Sequence, residues 1–254
     1  MKKLLAITAL SAALFFGQTA AAEEKAAEEV KPSHVEMVLV LDESGSMSDL
    51  TRDTIGGFNS MIEKEKKLDV DAHVTTVLFN DQYKMLYNRR ELKDVSKMTD
   101  KDYTPGGMTA LLDAVGRTIH KMDMVSGIHR KDKGNKVLFV IITDGEENDS
   151  KEYTYADVKK LIKDRQENAG WEFIFLGANI DAATAAENLG IGRDRAVKYK
   201  NTGSGVRANF KAVAELSDSL AKSGRVSDEW KETVEKDEDD AADKQSAAVT
   251  LHRR

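Results

Sequence analysis

The feature that most constrains the fold is the segment KVLFVII at residues 136–142, in which six consecutive apolar residues follow a lysine. A run that is apolar at every position, rather than at every second one, predicts a strand buried on both faces. Further runs of strand length lie at residues 35–41, 72–79 and 171–177. Segments whose apolar residues recur at helical spacing lie between these strand-like runs. Strands that alternate with helices imply parallel pairing through right-handed crossovers.

The pattern therefore predicts an α/β fold, a doubly wound, Rossmann-like open sheet of about six mostly parallel strands. Residues 82–88 follow the turn-forming pair Asn80 and Asp81, which predicts one antiparallel strand at the edge of the sheet. Residues 196–199 predict a weak last strand. The apolar spacing predicts helices at residues 50–67, 110–122, 155–168, 181–190 and 205–223.

The amino terminus has the pattern of a secretory signal peptide. Lys2 and Lys3 precede an apolar stretch at residues 4–16, and three alanines at residues 20–22 form a small-residue cleavage site. We expect cleavage after Ala22 and export of the mature chain, either to a bacterial periplasm or outside the cell. The alternative is an N-terminal membrane anchor, but the apolar stretch is short for a hydrocarbon core about 30 Å thick.

The mature chain divides by composition into three parts. Residues 23–33 are charged and alanine-rich and form a predicted spacer, and residues 34–226 form the predicted domain. Residues 227–254 contain nine acids between Asp228 and Asp243 and few apolar side chains, which predicts an acidic, disordered tail.

Charge and composition exclude several classes of function. Loss of the two signal-peptide lysines changes the formal net charge from −6 to −8, so nucleic acid is not expected as a partner. The mature chain contains no run of about 20 apolar residues, so no membrane span is predicted in it. The absence of cysteine excludes disulfides and thiolate ligands. Phosphate-binding glycine loops are missing. The histidines do not have metal-ligand spacing and are not expected to bind a metal; they are His34, His73, His120, His129 and His252.

Three loops at the predicted carboxyl ends of the strands carry oxygen ligands. They are DESGS at residues 42–46, TPGGMT at 104–109 and TDGEEN at 143–148. Ligands of open α/β sheets bind at this edge, so we expect these loops to meet. The candidate ligands are Asp42, Ser44, Ser46, Thr109 and Asp144. Three hydroxyls and two carboxylates suit Mg²⁺, which prefers oxygen and usually retains water.

The order Asp-x-Ser-x-Ser, then threonine, then Thr-Asp-Gly resembles the metal-ion-dependent adhesion site of von Willebrand factor type A (vWA) domains. The resemblance covers roughly residues 34–222 and is strongest to compact bacterial single-domain members. It implies that Ser44, Ser46 and Thr109 ligate Mg²⁺, or alternatively Mn²⁺ or Ca²⁺, with Asp42 and Asp144 as the charged pair. It also implies a non-enzymatic binding module whose protein partner donates an Asp or Glu carboxylate to the ion.

Two alternatives stay open at this point. The first is a Mg²⁺-dependent hydrolase or phosphatase that uses the same ion. Against it, Ser44 stands where an aspartyl-phosphate enzyme needs a second carboxylate, and the three loops contain no histidine or lysine to act as a base.

The second concerns the acidic residues around the site. An acidic rim would repel an incoming carboxylate, so either these acids point away or the partner adds basic groups. The rim residues are Glu43, Glu146, Glu147 and Asp149.

Overall fold

The computed structural model describes residues 34–67, 71–125 and 135–236. Six strands form one sheet in the order β3-β2-β1-β4-β5-β6. Their bounds are His34–Asp42 for β1, Ala72–Phe79 for β2, Tyr83–Glu91 for β3, Asn135–Thr143 for β4, Glu172–Gly177 for β5 and Ala196–Lys198 for β6. Every neighbouring pair is parallel except β2 and β3. The predicted fold class and the predicted antiparallel edge strand are thus confirmed.

Helices cover both faces of the sheet. Their bounds are Thr51–Glu65 for α1, Leu111–Asp123 for α2, Tyr155–Asp164 for α3, Ala182–Leu189 for α4 and Gly203–Ser223 for α5. Alternate residues of β1 enter two separate cores: Met37 and Leu39 pack with Phe58 of α1 and Phe210 of α5, whereas Val38 packs on the side of α2, α3 and α4. Burial of both faces explains why the central strands are apolar at almost every position.

The order of the strands places the candidate site. The chain leaves β1 toward β2 on one side and later returns to place β4 on the other side of β1. The carboxyl ends of β1 and β4 therefore lie side by side at the point where the strand order reverses. In open α/β sheets this crevice is the usual ligand site.

The folded domain extends further along the chain than composition suggested. Residues 230–236 are helical, and Trp230 and Val234 are each 1 % exposed in the core that also contains Val226. Thr233 Oγ1 donates a hydrogen bond to Glu215 Oε2 at 2.7 Å, which anchors this segment to α5. The prediction was wrong for residues 227–236 because two large apolar side chains, spaced four apart, outweigh the charged residues around them.

The remaining terminal predictions concern parts of the chain outside the described residues. The predicted signal peptide and spacer fall in residues 1–33, and the rest of the predicted tail falls in residues 237–254. In the part of the chain that is described, no helix has the length and apolar content needed to cross a membrane.

Candidate metal centre

The carboxyl ends of β1 and β4 supply the two aspartates of the candidate centre. Residues Leu41 and Ile142 are partners in the parallel register, so Asp42 and Thr143 come next to each other where the strands end. Thr143 Oγ1 donates a hydrogen bond to Asp42 Oδ2 at 2.6 Å, and the backbone N–H of Ser44 donates to Asp42 Oδ1 at 2.7 Å. Both carboxylate oxygens of Asp42 are thus held in place, one by the end of β4 and one by the loop that follows β1.

The two serines extend from Asp42 toward Asp144. Ser44 Oγ lies 3.1 Å from Ser46 Oγ, and Ser46 Oγ donates to Asp144 Oδ1 at 2.5 Å. Since the Ser46 and Asp144 positions are 98 residues apart in sequence, only the parallel pairing of β1 and β4 brings them into contact. Four of the five candidate residues therefore form one continuous polar chain.

Thr109 reaches the same place from the loop before α2. A Cβ atom built on Gly145 would lie 3.5 Å from Thr109 Oγ1 and 4.0 Å from Ser46 Oγ, so both hydroxyls border the same point of the backbone. The Thr109 backbone is fixed by reciprocal bonds with Asn148: its N–H donates to Asn148 Oδ1 at 2.9 Å, and its carbonyl accepts from Asn148 N–H at 3.0 Å. All five candidate side chains are therefore gathered at one edge of the sheet.

Backbone hydrogen bonds hold the loop of Thr109 against the loop of the serines. Gly106 N–H donates to the Glu43 carbonyl at 2.9 Å, and Gly45 N–H donates to the Gly107 carbonyl at 3.2 Å. Gly107 has φ of 75°, a conformation that residues with a Cβ rarely adopt. A Cβ at this position would also lie 1.9 Å from Asp81 Oδ1.

The electrostatics of this edge fit a dication. Asp42 and Asp144 are 1 % and 2 % exposed, and no ion pair between described residues involves either of them. Burial raises the pKa of Asp42; the hydroxyls of Ser44 and Thr143 act in the opposite direction, and the Asp144 charge raises it further. Buried carboxylates without a cationic partner are costly. A donor set of carboxylates and hydroxyls suits Mg²⁺ better than a softer metal.

A buried phenol lies beside the same charges. The hydroxyl of Tyr199 has no hydrogen-bond partner among the described residues. Burial raises the pKa of Tyr199 well above its ordinary value, and the nearby charges of Asp144 and Asp42 raise it further. This tyrosine therefore stays neutral beside the two carboxylates.

Three residues support the centre that sequence reasoning did not single out. Asn201 Nδ2 donates to Asp144 Oδ2 at 3.1 Å, Tyr103 OH donates to the Asp42 carbonyl at 2.6 Å, and Thr143 bonds Asp42 as described. Asn201 follows β6, a strand whose carboxyl end lies at the same edge, so its position was a usable signal. Nothing in the sequence pointed to Tyr103.

Two of the four rim acids are turned into the protein. Glu43 is 5 % exposed and accepts a hydrogen bond from the Thr104 backbone. Glu147 accepts from the Leu112 N–H at 2.9 Å and from the Ser150 N–H at 2.7 Å, and Asp149 lies 3.4 Å from a lysine. Of the four, only Glu146 is exposed. The first of the two alternatives for the rim, that these acids point away, applies to Glu43 and Glu147.

This fold and its arrangement of loops define the class of protein. The open sheet with a hydroxyl-rich and carboxylate-rich edge is that of a vWA domain, and residues 34–197 match a family model described as vWA-TerF-like, the vWA found in the TerF C terminus. The match covers more than half of the chain. The chain therefore belongs to the vWA-TerF-like family. Among curated proteins, none is significantly similar to this sequence.

Solved structures are similar to this chain at low sequence identity. The vWF domain of the type V pili tip protein Mfa5 from Porphyromonas gingivalis is 12 % identical, with a TM-score of 0.52 over 78 % of this chain and 99 % of that one. A von Willebrand factor type A protein from Catenulispora acidiphila is 14 % identical, with a TM-score of 0.50 over 72 % and 42 %. Proximal thread matrix protein 1 from the mussel byssus is also 14 % identical, with a TM-score of 0.49 over 72 % and 46 %. This chain therefore spans less than half the length of the last two.

Proposed function

We propose that the protein is an exported, non-enzymatic interaction module that binds a partner through a divalent cation, Mg²⁺ in the first place. Ser44, Ser46 and Thr109 would hold the ion, with Asp42 and Asp144 supplying the charge. The bound ion would offer a Lewis-acidic position that an Asp or Glu carboxylate of the partner protein can occupy. The vWA fold itself suggests an interaction or adhesion module.

The observation that carries the proposal is the gathering of five oxygen-bearing side chains, two of which belong to buried aspartates without a cationic partner among the described residues. Ser46 Oγ and Asp144 Oδ1 are 2.5 Å apart, and Thr109 borders the same glycine. Such a cluster is unfavourable without a positive charge, because both carboxylates are removed from water. A dication at this point would relieve the repulsion between Asp42 and Asp144.

The surface around the cluster supports a protein partner. Two of the large apolar side chains that are exposed in the described part of the chain lie near it: Met108 at 51 % and Tyr155 at 43 %. Met108 immediately precedes Thr109, and Tyr155 lines a depression together with Gly145 and Glu147. Apolar side chains around a polar centre are typical of interaction surfaces.

Metal binding is tested by titrating the chelator-treated protein with Mg²⁺ in a calorimeter. We expect one site in the wild type and none in Asp144→Ala or Ser44→Ala. Asp149→Ala is the matched control, because this acid belongs to the same loop but pairs with Lys151, and it should bind like the wild type. Unchanged affinity in Asp144→Ala and Ser44→Ala would reject the proposed ligands.

The partner is tested by affinity capture from the native host's envelope extract. Capture should fail in EDTA, return with Mg²⁺, and fail with Asp144→Ala at any Mg²⁺ concentration. Capture that is insensitive to chelation would place the interaction elsewhere on the surface.

The rival function, a Mg²⁺-dependent hydrolase, is tested with p-nitrophenyl phosphate: turnover that Asp42→Ala abolishes would replace the binding proposal.

A further inference from the structure

A second cluster of metal-ligand side chains lies at the opposite edge of the sheet. His34 and Glu36 are two residues apart on β1 and therefore lie on the same face, and Glu36 is the register partner of His73 on β2. Parallel pairing thus joins two histidines that are 39 residues apart in sequence. Spacing along the chain gave no sign of this pair, because the contact is created across two strands.

The potential ligand atoms form a small triangle. His34 Nε2 lies 2.8 Å from Glu36 Oε1 and 2.8 Å from His73 Nδ1, and His73 Nδ1 lies 3.4 Å from Glu36 Oε1. Ligands around a tetrahedral Zn²⁺ with bonds of about 2.0–2.1 Å are about 3.3–3.4 Å apart. One edge of the triangle already has this length, and small rotations of the His34 ring would lengthen the other two.

The outer ring nitrogen of His34 has the partner that metal-binding histidines usually have. His34 Nδ1 lies 3.2 Å from Asp71 Oδ2, while Nε2 faces the triangle. A carboxylate on the far nitrogen fixes the ring and makes the near nitrogen a stronger ligand. Asp71 itself lies outside the triangle, and its side chain is 74 % exposed.

The charges around the triangle also admit a dication. Glu36 and Asp71 contribute two negative charges, and Arg89 contributes a positive one through its contact with Glu36. Arg89 Nη2 contacts Glu36 Oε1 and lies 3.3 Å from His73 Nδ1, so a metal would have to displace this nitrogen from the triangle. Arg89 Nε also lies 3.1 Å from Glu36 Oε2, and the guanidinium can keep this contact when Oε1 binds a metal. The side chains of His34 and His73 are 13 % and 25 % exposed, which leaves the triangle open to solvent on one side.

We propose that His34, Glu36 and His73 bind a transition-metal ion of the Zn²⁺ class, with Asp71 as the supporting carboxylate and one coordination position open to solvent. Two imidazole nitrogens and one carboxylate oxygen are a donor set that suits Zn²⁺, Co²⁺ and Ni²⁺ rather than Mg²⁺. This site is separate from the candidate centre at the carboxyl edge, so the two would differ in both place and metal.

The test uses the full chain without an affinity tag in the Asp144→Ala background, which removes the other candidate centre from the measurement. The protein is treated with a chelator and titrated with Co²⁺, whose tetrahedral complexes absorb strongly in the visible range, and Zn²⁺ then competes for the site. We expect one equivalent of Co²⁺ to give this band. His73→Ala should lose it.

Two further variants keep the result interpretable. Asp71→Asn changes an exposed side chain and should fold normally, and we expect it to weaken Zn²⁺ binding about 10- to 100-fold. His120→Ala removes an exposed histidine next to Asp123 and should bind like the background protein. The proposal is overturned if the background protein gives no band, or if the band and the Zn²⁺ affinity persist in both His73→Ala and Asp71→Asn.

Discussion

A buried carboxyl group between α1 and α5 should make the stability of the protein depend on pH near neutrality. Glu65 is 2 % exposed; its Oε2 accepts a hydrogen bond from Ser217 Oγ at 2.6 Å, while its Oε1 has no partner among the described residues. Burial raises the pKa of Glu65 from 4.5 to about 7, against the opposing effect of the Ser217 hydrogen bond. The ionised form therefore destabilises the folded state.

The sign and size follow from proton linkage. Between pH 4.5 and 7 the folded protein keeps the Glu65 proton while the unfolded chain has released it, so the free energy of unfolding falls as the pH rises. A pKa shift of one unit corresponds to about 1.4 kcal/mol, so the shift of the Glu65 pKa from 4.5 to about 7 lowers the free energy of unfolding by about 3 kcal/mol. This loss is complete above pH 8. Below pH 4.5 Glu65 is protonated in both states and this penalty is absent.

Glu65→Gln removes the ionisation while keeping the shape of the side chain. We expect the variant to lie within about 1 kcal/mol of the wild type at pH 5 and to be more stable by about 3 kcal/mol at pH 8.5. Urea unfolding followed by circular dichroism at several pH values gives the difference between the two proteins, in which the titration of all other groups cancels.

A control on the same helix should behave in the opposite way. Glu63 is exposed and pairs with Lys97 at 2.7 Å, and this hydrogen bond lowers the pKa of Glu63. Glu63→Gln should therefore produce no gain in stability at high pH. A difference between Glu65→Gln and the wild type that is the same at pH 5 and pH 8.5 would refute the argument that burial controls the ionisation of Glu65.

Two further predictions concern the loop of the candidate centre and the end of the domain. Gly107→Ala should destabilise the protein by more than about 1 kcal/mol in urea unfolding, because Gly107 has φ of 75° and an added Cβ would clash with Asp81. Gly106→Ala should be nearly neutral, because nothing lies within 4 Å of its Cβ position. Equal effects of the two substitutions would contradict this account. Trp230→Ala should cost about 3–5 kcal/mol by the same measurement, and Glu235→Ala, at an exposed position of the same segment, should change stability by less than about 0.5 kcal/mol. A Trp230→Ala variant as stable as the wild type would mean that residues 227–236 do not contribute to the folded domain.

Local patterns in the sequence were sufficient for the architecture. Continuous apolar runs such as residues 136–142 predict strands buried on both faces, and their alternation with helices predicts the parallel sheet. The loops of the candidate centre were also identifiable, because the carboxyl ends of parallel strands lie at one edge and Asp42 and Asp144 each stand where a strand ends. The pattern failed at Trp230, where charged neighbours masked two core residues.

Only the tertiary structure decided which distant side chains meet and in what register. His34 and His73 carry no sequence signal as a pair; they meet because Glu36 and His73 are register partners across two parallel strands. The directions of Glu43 and Glu147, the support from Tyr103 and the raised pKa of Glu65 also depend on what surrounds each group in three dimensions. Periodicity in a sequence reports which face of an element is buried, but the distance and solvation of a particular polar group are set by elements far away in the chain.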